Sequence, residues 1–405
     1  MKQFLCCIIA ATALISFACA LEDAPENSAR AAILIHMDSG DVLFEKNADE
    51  PLLIASTTKL MTALVTAKHC DLSELVKVTN AHCAVEGSSV YLKPGESYTV
   101  ESLLYGLLLS SGNDAAMALA EHVGGSTAGF AELMNKVAAT LGLCNTHFSN
   151  PHGLDAKDHY SSAADLAALM REVMRDARLA EILATKSFVV GETTCVNHNK
   201  LLWTYPGCVG GKTGYTSVAG RTLVSCAERD GLRLICVTLS DPDDWADHAA
   251  LYDWGFANWE YRSVVPQDVI AQIPVIAGEA ESVGIIASEL PEILLAKDCV
   301  TKTAVDLPSF VYAPVQAGQS AGALIITTDN EFTLRVELSF AESVELNAQE
   351  RLTTWEKIKR AWYLANRYGG MGYYGLVYSN STIGGMSYGG EAAEIYSKNG
   401  FLLTP

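Results

Sequence analysis

Hydrophobic and polar positions change rhythm several times along this chain, and each change marks an element. The run AAILIHM from Ala31, a break at Ser39-Gly40, and a second run ending near Glu45 predict two strands joined by a turn. Leu60, Ala63, Leu64 and Ala67 then recur at helical spacing, with Ser56 at the head of the run as a plausible cap. TVESLLYGLLLSSGNDAAMALAEHV holds two helical stretches, broken near Ser110 to Asn113. AGFAELMNKVAATLG predicts a helix ending at Gly142, and SSAADLAALMREVMRD another, capped by Ser161 or Ser162.

The rhythm next shortens. CVGGKTGYT, GRTLVSCAE and LRLICVTLS read as three consecutive strands, the last two joined at Asp230-Gly231, a strong hairpin signal. ADHAALYDWGFANW predicts a closing helix. Strands at both ends of the first 260 residues thus flank a helical middle, as in one sheet packed with helices. From Tyr261 to about Leu346 helical periodicity fades. Phe332, Leu334, Val336, Leu338 and Phe340 alternate with polar residues, which predicts a half-buried strand within a small all-β domain.

The ends differ again. Lys2, an apolar run from Phe4 to Phe17 and Ala18-Cys19-Ala20 read as a secretory signal over residues 1–20. An uncleaved anchor or a lipoprotein cysteine at Cys19 are the weaker readings, because the run is short and Ser16-Phe17 suits lipidation poorly. Near the other end, RLTTWEKIKRAWYLANR places Leu352, Trp355, Ile358, Trp362 and Ala365 on one helical face, with five basic residues against Glu356. A basic amphipathic helix over 347–367 suits either an anionic membrane surface or its own domain. Residues 368–405 are rich in Gly, Tyr and Ser and predict a flexible tail.

Composition narrows the class. Of 405 residues, 49% are hydrophobic and 19% charged, so the chain is globular, and a net charge of −19 argues against nucleic acid as a partner. Eleven cysteines are present, none in a C-x-x-C pair. The eight beyond residue 20 read equally as disulfides of an exported protein or as small core residues. His69, His82, His122 and His198 follow no metal spacing, so no cofactor or zinc site is expected.

Three short motifs carry the chemistry: Ser56-Thr57-Thr58-Lys59, Ser111-Gly112-Asn113 at the helix break, and Lys212-Thr213-Gly214 on a strand. Each is weak alone; the order and contexts make the set specific. On a helix Lys59 can reach back to the Ser56 hydroxyl, which needs an adjacent base to act as a nucleophile. Lysine serves if desolvation and a second cation, Lys212, lower its pKa. Ser111 would relay protons, Asn113 hold a substrate amide, and Lys212 and Thr213 attract a terminal carboxylate. An extended peptide would pair with the strand at Gly214, and the Ser56 and Tyr215 N–H groups are the oxyanion-hole candidates.

With NADEPLLIASTTKLMTALV, FSNPHGLDAKDHYSSAADLAAL, NHNKLL and GGKTGYTSVAGRTLV, the region from Ala31 to Trp259 resembles the D-alanyl-D-alanine carboxypeptidases, the low-molecular-weight penicillin-binding proteins. The resemblance implies an α/β (α+β) catalytic domain over 21–260, of the β-lactamase and penicillin-binding transpeptidase type, with an antiparallel sheet flanked by helices. It implies a C-terminal β domain over 261–346 and a membrane anchor in the terminal helix. It implies Ser56 as acylated nucleophile, Lys59 as base, Ser111 and Asn113 as second motif, and Lys212, Thr213 and Gly214 as the substrate strand. The implied partners are peptidoglycan stem peptides ending in D-Ala-D-Ala, and β-lactams as inhibitors. Two departures stand out. Tyr215 follows the third motif where relatives often have His, and DPDDWADH carries Trp245 near where many have a carboxylate-binding arginine. Arg221 is the nearby arginine in sequence. Glu132 and Asn135 resemble the deacylating pair of some β-lactamases but lie inside an amphipathic helix.

Overall fold

A computed structural model describes residues 23–329 and 332–347, with short stretches at 355–356, 359, 374–376, 395–397 and 402–403. The signal expected over 1–20 lies outside the described residues, as does most of the helix expected over 347–367. Among the described residues no helix is long and apolar enough to cross a membrane. The chain divides into two compact units between Asn258 and Trp259.

The first unit is built on a five-stranded antiparallel sheet. Its strands, in chain order, are β1 (Ala31–His36), β2 (Val42–Lys46), β3 (Cys208–Thr216), β4 (Gly220–Arg229) and β5 (Leu232–Leu239). In space the order is β2-β1-β5-β4-β3, which leaves β3 at an edge. Asp230 and Gly231 both take positive φ, 51° and 81°, as a tight hairpin requires. All six residues of β1 are buried, because both faces of the sheet are covered. Ile33, Ile35, Ile235 and Val237 join one large apolar cluster with residues of the helices α1 (Lys59–His69), α2 (Val100–Leu109), α3 (Asn113–Gly124), α4 (Thr127–Thr140) and α5 (Ala163–Arg175). On the other face Leu34 and Leu234 meet α6 (Asp244–Asn258) at Gly255, where a methyl group would fall 2.8 Å from both leucines.

One expectation is corrected here. Ser56 does not cap α1. It sits in a separate 3-10 turn, Ala55–Thr58, and neither Ile54 nor Thr58 makes a side-chain cap bond. Thr57 and Thr58 instead return their hydroxyls to the carbonyls of Ile54 and Ala55, at 2.6 and 2.7 Å. α5 is capped by Ser162, whose hydroxyl accepts from the Asp165 N–H at 3.1 Å. The eight described cysteines are free thiols, and Cys195, Cys226, Cys236 and Cys299 are buried, so they act as small core residues.

The second unit contains a six-stranded sheet. Its strands are, in spatial order, Thr301–Asp306, Ser320–Thr328, Thr333–Phe340, Ser282–Ala287, Ala271–Ile276 and Val311–Tyr312. An antiparallel pair of strands, Trp259–Ser263 with Glu292–Ala296, accompanies it. Val336, Leu338 and Phe340 point into its apolar core, as their alternation predicts, while Phe332 is exposed. Within the stretch expected to be a flexible tail, Tyr374–Leu376, Ile395–Ser397 and Leu402–Leu403 pair as a small antiparallel sheet, where β-forming Tyr, Ile and Leu outweigh the glycines around them.

Candidate active site

The three motifs meet at one end of the first unit. The 3-10 turn presents Ser56, half-buried, at the floor of a cleft of about 640 Å³. Ser111, Thr213, Gly214, Tyr215 and Arg221 also line it. Ala55 holds the turn in a strained conformation, with φ of 45°. Two distant glycines make room for it. A methyl group at Gly153 would lie 1.9 Å from the Ala55 carbonyl oxygen, and one at Gly214 would lie 2.9 Å from the Ser56 nitrogen. Thr222 on β4 donates its hydroxyl to the Ile54 carbonyl at 3.2 Å, which ties the turn to the sheet.

Lys59, one turn along, is fully buried. Its Nζ donates to Ser56 Oγ at 2.9 Å, to Asn113 Oδ1 at 2.7 Å and to the His152 carbonyl at 2.6 Å. Burial holds this ammonium well below the usual lysine range, the Lys212 charge lowers it further, and Asp114 opposes both. Lys212 is buried too and is held down to about 7 by desolvation. Its Nζ donates to Ser111 Oγ at 3.1 Å and to the Thr213 carbonyl at 2.8 Å. Ser111, with φ of 60°, sits at the break between α2 and α3 and is 4% exposed. The spacing therefore places Ser56 against Lys59 and Ser111 against Lys212, with both ammonium groups beneath the cleft rather than in its wall.

Asn113, expected to hold a substrate amide, is tied first to the protein itself. It is buried, its Oδ1 accepts from Lys59, and its Nδ2 donates to the Glu86 carbonyl at 2.6 Å. Its amide orients the lysine. Asp114 beside it accepts from the Val90 and Leu92 N–H groups and the Ser89 hydroxyl, which pins the 88–92 loop over α3. Lys212 likewise does not offer its charge to the cleft, being 1% exposed.

One cation that does line the cleft is Arg221, which pairs with Tyr215 across the β3–β4 hairpin. Its Nη2 donates to both Asp244 oxygens, at 2.7 and 2.9 Å, and its guanidinium lies 5.6 Å over the Trp245 ring. Its Nε is buried with no partner among the described residues. Exposed Lys200 lines the same wall. The residues that sequence reasoning left unplaced are thus Arg221 and the His152 carbonyl. For Arg221 a signal existed, since one step from the turn beyond the Thr216–Gly220 pair puts it opposite Tyr215. A backbone carbonyl has no such signature.

Other readings fall away on geometry. His152 accepts the Leu154 N–H on Nδ1, and burial followed by the Lys59 charge holds it down to about 4, so it is a neutral loop residue. Glu132 is exposed on α4, and Asn135 is spent clasping the Phe148 backbone at 2.7 and 2.9 Å. Ser225 Oγ lies 2.7 Å from His248 Nδ1, but both are fully buried and fasten α6 to β4.

Comparison with known proteins gives the same direction. Residues 19–243 match the family profile described as D-alanyl-D-alanine carboxypeptidase, Peptidase_S11. The D-alanyl-D-alanine carboxypeptidase DacF of Bacillus subtilis (strain 168) is 34% identical over 356 residues, 82% of this chain and 92% of that protein. DacC of Escherichia coli (strain K12) is 36% identical, over 80% of this chain and 86% of its own. Among solved structures, penicillin binding protein 5 from Haemophilus influenzae superposes with a TM-score of 0.63 at 30% identity, covering 80% of this chain and 99% of that one. A D-alanyl-D-alanine carboxypeptidase from Mycobacterium tuberculosis H37Rv, at 40% identity and a TM-score of 0.56, covers 58% of this chain and 93% of its own. A serine beside a buried lysine, a second serine–lysine contact, an edge strand above them and relatives matched over most of both lengths converge on one assignment: the chain belongs to the D-alanyl-D-alanine carboxypeptidase family.

Proposed function

We propose that the protein is a serine-type D-Ala-D-Ala carboxypeptidase that removes the terminal D-Ala from peptidoglycan stem peptides through an acyl-enzyme on Ser56. The observation that carries this is the 2.9 Å contact between Lys59 Nζ and Ser56 Oγ, in a site where burial and then the Lys212 charge hold the Lys59 ammonium well below the usual lysine range. Neutral Lys59 takes the Ser56 proton as Oγ attacks the penultimate carbonyl. The Ser56 and Tyr215 N–H groups receive the oxyanion. The terminal D-Ala leaves as an amine, taking a proton from Lys212 through Ser111; water then cleaves the ester, its proton restoring Lys212 while Lys59 returns its proton to Ser56 Oγ and the shortened stem is freed.

The substrate's extended end pairs with β3, where Gly214 admits it closely, as expected of an edge strand. Its carboxylate is received by the Thr213 hydroxyl and by Arg221, whose half-exposed guanidinium lines the cleft. Glu132 is exposed, Asn135 is engaged, and Asp244, the carboxylate that lines the cleft among the described residues, is bound by Arg221; with no free base of this kind beside Ser56 among the described residues, β-lactams act as inhibitors rather than substrates. The place of action is outside the cytoplasmic membrane, reached through the leader, with the basic 347–367 segment as attachment to an anionic bilayer surface. Removing residues 351–405 is expected to release the protein from membranes; retention would sink that attachment.

The test is release of D-Ala from a diacetylated tripeptide ending in D-Ala-D-Ala, together with mass spectrometry after penicillin treatment. Ser56 should carry the penicilloyl mass, and Ser56→Ala should lose both activities. Turnover by Ser56→Ala, or rapid multiple-cycle hydrolysis of nitrocefin, would overturn the assignment.

A further inference from the structure

The helices α1 and α3 begin at the cleft, with Lys59 and Asn113 as their first residues, and end together at the opposite side of the helical layer. There Cys70, the residue following α1, Glu74, four positions on, and His122, in the last turn of α3, bring Sγ, a carboxylate oxygen and an imidazole nitrogen within 4.8 Å of one another. His122 Nε2 and Glu74 Oε2 are 3.1 Å apart. The other Glu74 oxygen accepts the Asp71 N–H at 2.7 Å, which fixes the carboxylate in place.

We propose that Cys70, Glu74 and His122 form a binding site for a zinc-class divalent ion. Thiolate, imidazole and carboxylate are the donor types that zinc takes, and three protein ligands with a water complete a tetrahedron. Ligand atoms about 2.0–2.3 Å from zinc stand roughly 3.3–3.8 Å apart, so Glu74 and His122, now hydrogen-bonded at 3.1 Å, need to part by only a few tenths of an ångström, and the three donors lie within side-chain adjustment of that geometry. Charge favours the ion as well. Thiolate and carboxylate together neutralise it, and the C-terminal ends of both helices present their negative poles. Burial, Glu74 and Asp71 push the thiol up in the ion's absence, which binding would reverse.

No metal signature is visible along the chain because the ligands come from two helix ends and the loop after α1, with no short repeat of His or Cys. The site stands about 16 Å from the base end of α1, as eleven residues rise 1.5 Å each. An ion there clamps the far ends of the two helices whose near ends hold the active lysine and its asparagine.

The experiment titrates Co²⁺ into the reduced, metal-free full chain. One equivalent is expected to give a near-ultraviolet sulfur-to-cobalt band and strong visible bands of tetrahedral cobalt, both displaced by one equivalent of Zn²⁺. Cys70→Ser should remove the sulfur band, and His122→Ala should weaken Co²⁺ binding at least about tenfold. Cys144→Ser, which alters the exposed thiol, should change nothing. Cooperative melting establishes that each variant is folded; should Cys70→Ser not fold, Glu74→Gln and His122→Ala carry the same reading. No sulfur band in the wild type, or a band that survives Cys70→Ser, overturns the site. Penicillin labelling of Ser56 is read separately, since acylation needs none of these three residues.

Discussion

Gly153→Ala probes how the nucleophile is held. At Gly153 a β-carbon would lie 1.9 Å from the Ala55 carbonyl oxygen and 2.5 Å from its carbon, at a backbone φ of +90°. Real β-carbons essentially never approach nearer than 3.0 Å, so one of the two segments must move by about 1 Å. Neither can move harmlessly. The Ala55 side carries Ser56, and the Gly153 side carries the His152 carbonyl bound to Lys59. Asn150 Oδ1, accepting from the His152 and Gly153 N–H groups, resists relaxation of the loop. A displacement of about 1 Å between reacting groups costs on the order of a hundredfold in rate. We expect second-order acylation by a fluorescent penicillin, followed by stopped flow, to fall about a hundredfold. Gly142→Ala is the matched control. It imposes the same kind of backbone strain at φ of +72°, about 1 kcal/mol, with nothing within 4 Å of the new methyl. It should lower stability slightly and leave acylation intact. If Gly153→Ala acylates within about threefold of the parent, or Gly142→Ala slows equally, the packing argument fails.

Three further outcomes follow from the charges around the cleft. Because burial holds Lys212 down to about 7, the cost of charging it is fully present below that pH and fades as pH climbs toward the 10.5 of a free lysine. Lys212→Met should therefore abolish acylation yet raise the unfolding free energy at pH 6 by on the order of a few kcal/mol, a gain that shrinks through the alkaline range and is gone only above the free-lysine pKa. A pH-independent gain in calorimetry would count against this. Arg221→Gln should erase the preference for a free over an amidated peptide terminus, a loss of roughly ten- to a hundredfold in kcat/KM for the free acid; unchanged discrimination would remove Arg221 from the carboxylate site. Asn113→Asp keeps an acceptor for Lys59 but adds a negative charge beside it, so the acid limb of the acylation pH profile should move to higher pH. A limb that stays put would mean that Lys59 does not set it.

The sequence and the structure agree most where a feature is local. The break at Ser110 to Asn113, the Asp230-Gly231 hairpin and the three-residue reach from Lys59 to Ser56 depend on neighbours in the chain, and all are present. What could not be read is what distant segments impose. Ser56 looked like a helix cap because its own neighbours permit one; Gly153, Gly214 and Thr222 turn that stretch into a strained 3-10 turn. The spacing of its motif marks Asn113 for the site but says nothing of its protein partners. Only the Glu86 carbonyl and Lys59, met in space, reveal that both ends of its amide are in use. Arg221 was visible in the sequence, but its direction depends on strand register and on Asp244.

The three partners of Lys59 Nζ have a consequence for the moment of reaction. A protonated amine offers three hydrogens, one for each oxygen. The His152 carbonyl can only accept. The Asn113 oxygen can only accept as well, since the Glu86 carbonyl claims the NH2 end of that amide. When the amine gives up a proton, its two remaining hydrogens are owed to those two oxygens. The lone pair is left pointing at Ser56, the one neighbour with a hydrogen of its own to give. Loss of a single proton thus reverses the direction of one hydrogen bond and no other, and the amine that had been donating to the hydroxyl becomes its acceptor without moving.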